Sequence, residues 1–270
     1  MKYMTFNSSC SYAGVANMLE QYGVDTDDRS IALGMKLPYL FSYEDGVYMA
    51  GPMLQSAEWF NLYLHPIGFE MTEKEIPAEQ LPAYLKQQKT AMLGLPVDDS
   101  GKHAVVYNGH QDGKLVFLNN KWEHTDAPEQ ITLAETELLA QISTSAMIAT
   151  LKPITPKAVD LHSKMSTSVV VIRQNLADIC SVCGRAETVA QLRLKLNTLF
   201  RPLLLDGITM LQLIGEVKLA EDFTAHQRSF LSALRQDPDL CIILGEYLST
   251  DALTTAAERY IALIQKEQTK

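Results

Sequence analysis

The chain is short of cysteine, of long apolar runs and of positive charge. Four cysteines in 270 residues cannot build a disulfide framework, so a reducing, cytoplasmic setting is expected. No apolar run approaches the roughly 20 residues of a membrane span, and Met1 to Asn7 lacks a secretory-signal pattern. Lys and Arg number 23 against 32 Asp and Glu. The deficit lies entirely in the first part: residues 1–153 hold 10 basic and 19 acidic residues, and residues 154–270 hold 13 of each. Nucleic-acid binders set basic patches against phosphate, so that partner class is excluded, and no membrane partner is expected. The acidic first half is most simply a solvated surface, and it also suits a cationic substrate.

What is present is apolar content, 47% of the residues, enough for a sizeable core and two domains. Val15, Met18, Leu19 and Tyr22 recur at helical spacing and Gly23 follows, which predicts a helix from Ser11 to Tyr22 beginning at Cys10. A second short helix is expected over Asp27 to Leu33, a hairpin around Asp45-Gly46, and helices over 53–64 and 77–88. Then strands take over: "TAMLGLPV", then "HAVVYNG" and "KLVFLNN" flanking His110 to Gly113, and "AMIATL" after a helix over 133–142. Helices first and strands after them indicate an α+β domain. "KPITPK" at 152–157 reads as a linker, and beyond it only helical periodicity persists. The expected division is an α+β domain over 1–153 and an all-helical domain over 158–270. Segments such as "RPLLLDGITMLQLIGEV" are apolar beyond one narrow face, so the helices should bury surface against the first domain or in a homodimer.

The chemistry centres on Cys10. Only the thiolate is a nucleophile, and a helix N-terminus favours it through unpaired N–H groups and the macrodipole. The thiol then needs an imidazole to take its proton and a third group to orient the imidazole. Of six histidines, His103 opens the strand "HAVVYNG", whereas His110 lies in a turn and His124 in the following loop. The next strand ends in Asn119-Asn120, where an amide can accept the imidazole N–H.

The order of Cys10, His103 and Asn119, with "GKHAVVYNGHQDGKLVFLNN", resembles the papain-like C39 cysteine peptidases over roughly residues 4–125. Asn119 stands at the place of that group's acid. Cys10 with "ANMLEQYGV", "IALGM" and the late helical "RPLLLDGITMLQLIGEV" resembles the N-terminal domain of butirosin-type acyltransferases. The resemblance implies a papain-like fold and acyl transfer through acyl-Cys10. The donor would be a carrier-protein or other thioester, the acceptor a small amine. It implies His103 as base, Asn119 as its orienting group, and no cofactor or metal. The alternatives are a C39-like peptidase and a non-catalytic papain-like binding protein.

One departure concerns the oxyanion. Papain-like peptidases place a Gln six residues before the Cys, where this chain has Met4, and a thioether donates no hydrogen bond. Such a donor is commonly worth about 2.7–4 kcal/mol. Asn7, or the Cys10 backbone N–H with another group, is the expected substitute. The loss weighs more against a hard amide substrate than against a thioester. Cys180 and Cys183 lack the second ligand pair of a zinc site and are expected in a helical core. Cys241 is expected in the core as well.

Overall fold

The stripe of Val15, Met18 and Leu19 becomes the fully buried side of a helix, and the elements around it follow in mixed order. In chain order they are α1 (Cys10–Glu20), α2 (Asp28–Gly34), β1 (Phe41–Glu44), β2 (Val47–Ala50), α3 (Ala57–Leu64) and β3 (Phe69–Pro77). Next come α4 (Leu81–Lys86), β4 (Ala91–Asp98), β5 (Gly101–Gln111), β6 (Lys114–Asn119), β7 (Glu129–Leu133), α5 (Glu135–Gln141) and β8 (Ser145–Pro153). The chain finishes with α6 (Leu161–Cys183), β9 (Ala186–Thr188), α7 (Val189–Leu194), α8 (Gly207–Leu213), α9 (Val217–Leu234), β10 (Cys241–Ile243) and α10 (Thr250–Gln268). This computed structural model describes residues 1–98, 101–122 and 129–270. His124 lies outside them. Among the described residues no helix is long and apolar enough to cross a membrane.

The contacts divide the chain into two units, Met1–Met35 with Gln55–Val159, and Lys36–Leu54 with Asp160–Lys270. The first unit is built on a six-stranded antiparallel sheet in the order β3-β8-β4-β5-β6-β7. One sheet face carries Leu93, Leu95, Val105, Phe117 and Ile148. These pack with Leu81 and Leu85 of α4 and with Leu138 of α5. The other face receives α1. Gly14 permits the approach: a Cβ there would lie 2.5 Å from the Met92 sulfur and 3.4 Å from the Asn120 amide.

The second unit is not all-helical. The hairpin β1–β2 belongs to it, and β9 pairs with β10 in a two-stranded antiparallel sheet. The hairpin is tied to helices far along the chain. Phe41 N–H donates to Ser168 Oγ (2.8 Å), Tyr48 OH to Asp178 Oδ2 (2.6 Å), and Tyr260 OH to the Pro38 carbonyl (2.8 Å). The helical periodicity expected throughout this part fails at Cys241–Ile243 for a local reason. Cys241, Ile242 and Ile243 alternate exposed, buried, exposed, which is strand periodicity. Cys241 is therefore exposed rather than in the core, whereas Cys183 is buried, and burial pushes its thiol up to about 12.

Leu196–Phe200 and Pro202–Asp206 wind as π-helix, where Pro202 supplies no N–H donor to a normal turn. Asp206 is buried there against Arg201, Nε to Oδ2 2.8 Å. Burial outweighs the arginine and raises the Asp206 carboxyl from 3.8 to about 6. A raised carboxyl means that the folded protein binds more protons than the unfolded chain between these two values. Its contribution to stability is thus complete below pH 4 and is lost as pH rises through about 6. The shift corresponds to roughly 3 kcal/mol at most. Denaturation midpoints followed from pH 4 to 7 should fall less steeply in Asp206→Asn than in the unchanged protein. Parallel curves would refute this.

Candidate active site

Cys10 is the first residue of α1, and the segment before it is fixed by a buried carboxylate. Asp28, at the first turn of α2, accepts from Thr5 N–H (2.7 Å), Thr5 Oγ1 (2.7 Å) and Ser9 Oγ (2.6 Å). Ser9 occupies the N-cap of α1, yet its side chain makes no capping bond. Its hydroxyl goes to Asp28 instead, so the first turn of α1 is not closed by its cap residue. Ser8 sits at φ 61°, a left-handed conformation that bends the chain into the helix. Asn120 then clamps the thiol's own residue to the sheet. Its amide donates to the Cys10 carbonyl (3.0 Å) and the Ala104 carbonyl (3.0 Å), and its Oδ1 accepts from Asn17 Nδ2 (2.5 Å).

Cys10 opens onto a cavity of about 290 Å³ lined also by Ser11, Gln55, Glu73, Lys102 and His103. Strand register explains its walls. Glu73 pairs with Ala149, Met92 with Ala149, and Gly94 with Ala104. Side chains alternate, so Glu73, Ala149, Met92, Gly94, Lys102 and Ala104 share the face that receives α1. Ala149, Gly94 and Ala104 are small and leave the space above this part of the sheet unfilled. Its ends are oppositely charged. Glu73 aligns through Ala149 and Met92 with Val106, so it lies three strands across and four residues along from Lys102, roughly 20 Å between Cα atoms, too far to form an ion pair.

Of the residues expected from sequence, Cys10 and His103 border this one cavity. Among the described residues no hydrogen bond joins them. His103 pairs with Leu95, and Asn119 with Val105. Alternation puts both His103 and Asn119 on the face opposite α1, while His103 also borders the cavity. The two are diagonal neighbours across β5 and β6, a relation that spans roughly 7–8 Å and is within reach of long side chains. Among the described residues His103 Nδ1 and Asn119 Oδ1 are both buried without a partner, one an N–H donor when protonated and the other an acceptor. The Asn119 amide group donates to Glu129. Asn7 is exposed and does not line the cavity. Met4 is buried, and its N–H donates to the Lys121 carbonyl (2.8 Å).

Sequence reasoning missed Gln55, Glu73, Lys102 and Asn120. Glu73 and Lys102 sit in strands that read correctly, but their shared face depends on a strand order that the sequence does not display. Asn120 was indistinguishable from Asn119 until register separated their faces. Among the described residues no group of His, Cys, Asp and Glu could hold a metal ion.

The chain is similar to the peptidase domain of Streptococcus ComA, a bi-functional ABC transporter involved in a quorum-sensing pathway. The identity is 13%, the TM-score 0.40, and the match spans 56% of this chain and 96% of that one. No protein-family model matches the chain, and no curated protein does.

Proposed function

We propose that the first unit carries out acyl transfer through an acyl-Cys10 intermediate, with a thioester as donor and a small amine as acceptor. The observation that supports this best is the position of Cys10: a half-buried thiol at the start of an 11-residue helix, facing a cavity that His103 also borders.

His103 would take the Cys10 proton. The thiolate would attack the thioester carbonyl carbon, forming a C–S bond while the carbonyl electron pair moves onto oxygen. Collapse of the tetrahedral species would expel the donor thiolate, which leaves with the proton from His103. The amine would then attack acyl-Cys10, His103 would accept its proton, and Cys10 would leave as thiolate. Asn119 Oδ1 would hold the imidazole through Nδ1–H, matching two buried groups that have no other partner among the described residues. A carrier-protein thioester fits an open cavity better than an enclosed one, because the acyl group must enter on a tethered arm.

Glu73 supports an ammonium-bearing acceptor. Its carboxylate is the anionic end of the cavity, and an acceptor held there would lie along the floor toward Cys10. Intact-mass spectrometry tests the whole reading. An N-acetylcysteamine thioester should add one acyl group to the protein, and a diamine should discharge it faster than water does. Rapid cleavage of peptides without any thioester adduct would favour the peptidase alternative. Glu73→Gln should leave the adduct's formation unchanged and raise the diamine concentration for half-maximal discharge about two- to fivefold, the worth of one exposed charge contact of ~0.5–1 kcal/mol. An unchanged diamine dependence would remove Glu73 from the acceptor site.

A further inference from the structure

Acyl transfer needs a donor for the oxyanion, and neither Met4 nor Asn7 supplies one. Met4 is a buried thioether engaged through its backbone, and Asn7 is exposed away from the cavity. Gln55 does line the cavity that Cys10 and Ser11 also line. It enters from a different part of the chain, just after the 3₁₀ turn Gly51–Met53 and before α3.

Its carboxamide is oriented. Ser11 Oγ donates to Gln55 Oε1 at 2.7 Å, and Ser11 is itself buried on α1. The hydroxyl therefore occupies the acceptor end of the amide and leaves the donor end, Nε2, unengaged by Ser11. Because Ser11 follows Cys10 directly on the same helix, the amide is referenced to the nucleophile's own backbone. Resting on the acyl-transfer reading above, we infer that Gln55 Nε2 is the side-chain oxyanion donor, acting with the Cys10 backbone N–H, and that Ser11 is its positioning residue. A donor prepared in this way costs no reorganisation when charge develops on the carbonyl oxygen.

The test compares two reactions of the same thiol. Acylation by an N-acetylcysteamine thioester builds an oxyanion, whereas alkylation by iodoacetamide displaces iodide at a saturated carbon and builds none. Gln55→Ala should slow single-turnover acylation of Cys10 by about 10²–10³-fold and leave its alkylation rate unchanged. Gln55→Glu, which keeps the size but puts acceptor oxygens at the oxyanion, should be at least as slow in acylation. Ser11→Ala should slow acylation less, and should add nothing further in the Gln55→Ala background. Acylation of Gln55→Ala at the unchanged rate would overturn the inference, as would an equal loss in both reactions. If the unchanged protein is alkylated at Cys10 but never acylated, the acyl-transfer reading itself fails, a result distinct from either.

Discussion

Cys10→Ala is expected to carry no acyl adduct after incubation with a thioester, and His103→Ala to gain its adduct about 10²–10⁴-fold more slowly than the unchanged protein, the usual worth of a positioned general base. The experiment needs one precaution that the structure supplies. Cys241 is exposed and Cys180 half-buried, and an exposed thiol exchanges with thioesters unaided. The comparison therefore belongs in a Cys241→Ser background, with the modified cysteine identified by peptide mapping. Cys183 needs no replacement, since burial holds it as thiol. An adduct that persists in Cys10→Ala at the original rate rules out the assigned nucleophile. The His103 arm is equally exposed to failure, because register sets that residue on the sheet face opposite α1. If His103→Ala acylates normally, the imidazole does not serve Cys10, and activation falls to the helix terminus alone.

The second large effect concerns stability. Asp28 is fully buried and accepts three hydrogen bonds from the segment that leads into Cys10. Asp28→Ala removes all three and leaves the hydroxyl of buried Ser9 without its partner. Hydrogen bonds to a charged group contribute about 1.5–3 kcal/mol each, and an unsatisfied buried group costs about 1–3 kcal/mol. Thr5 is exposed and regains water, so the net loss should be about 3–5 kcal/mol. Asp28→Asn should cost much less. Two of the three bonds, from Thr5 N–H and Ser9 Oγ, share Oδ2, and a single amide oxygen placed there keeps both. The Thr5 hydroxyl can turn to accept from the new amide. Chemical denaturation of both variants tests this: equal losses would show that charge rather than oxygen geometry governs the network, and no loss in Asp28→Ala would show that the segment is held by other contacts.

Parts of both units were readable because their signals are local. Asp45-Gly46 and Asp112-Gly113 take positive φ at both residues, 51° and 82°, then 51° and 77°. That is the turn that Asp-Gly dipeptides favour between antiparallel strands, and both hairpins stand where the dipeptides predict them. The helix beginning at Cys10 follows from three small polar residues ahead of a 3.6-residue apolar period. These features depend on neighbours within a few residues, so sequence alone determined them, including the identity of the thiol at the helix start.

Other features depend on partners that the local pattern does not name. The 36–54 segment alternates like any hairpin, but only its bonds to Ser168, Asp178 and Tyr260 decide which unit owns it. Edge strand β7 was missed because five residues of mixed polarity carry little period, and β9 and β10 because three residues carry almost none. The site shows the same division. The sequence named Cys10 and His103 as candidates, and both border the cavity. Sheet order brought Glu73 and Lys102 to one cavity, register gave the clamp on Cys10 to Asn120 rather than Asn119, and a side-chain bond across 44 positions tied Gln55 to Ser11. Periodicity fixes which face of an element is buried, whereas what that face meets is settled only when distant elements pack, and the tertiary structure alone records it.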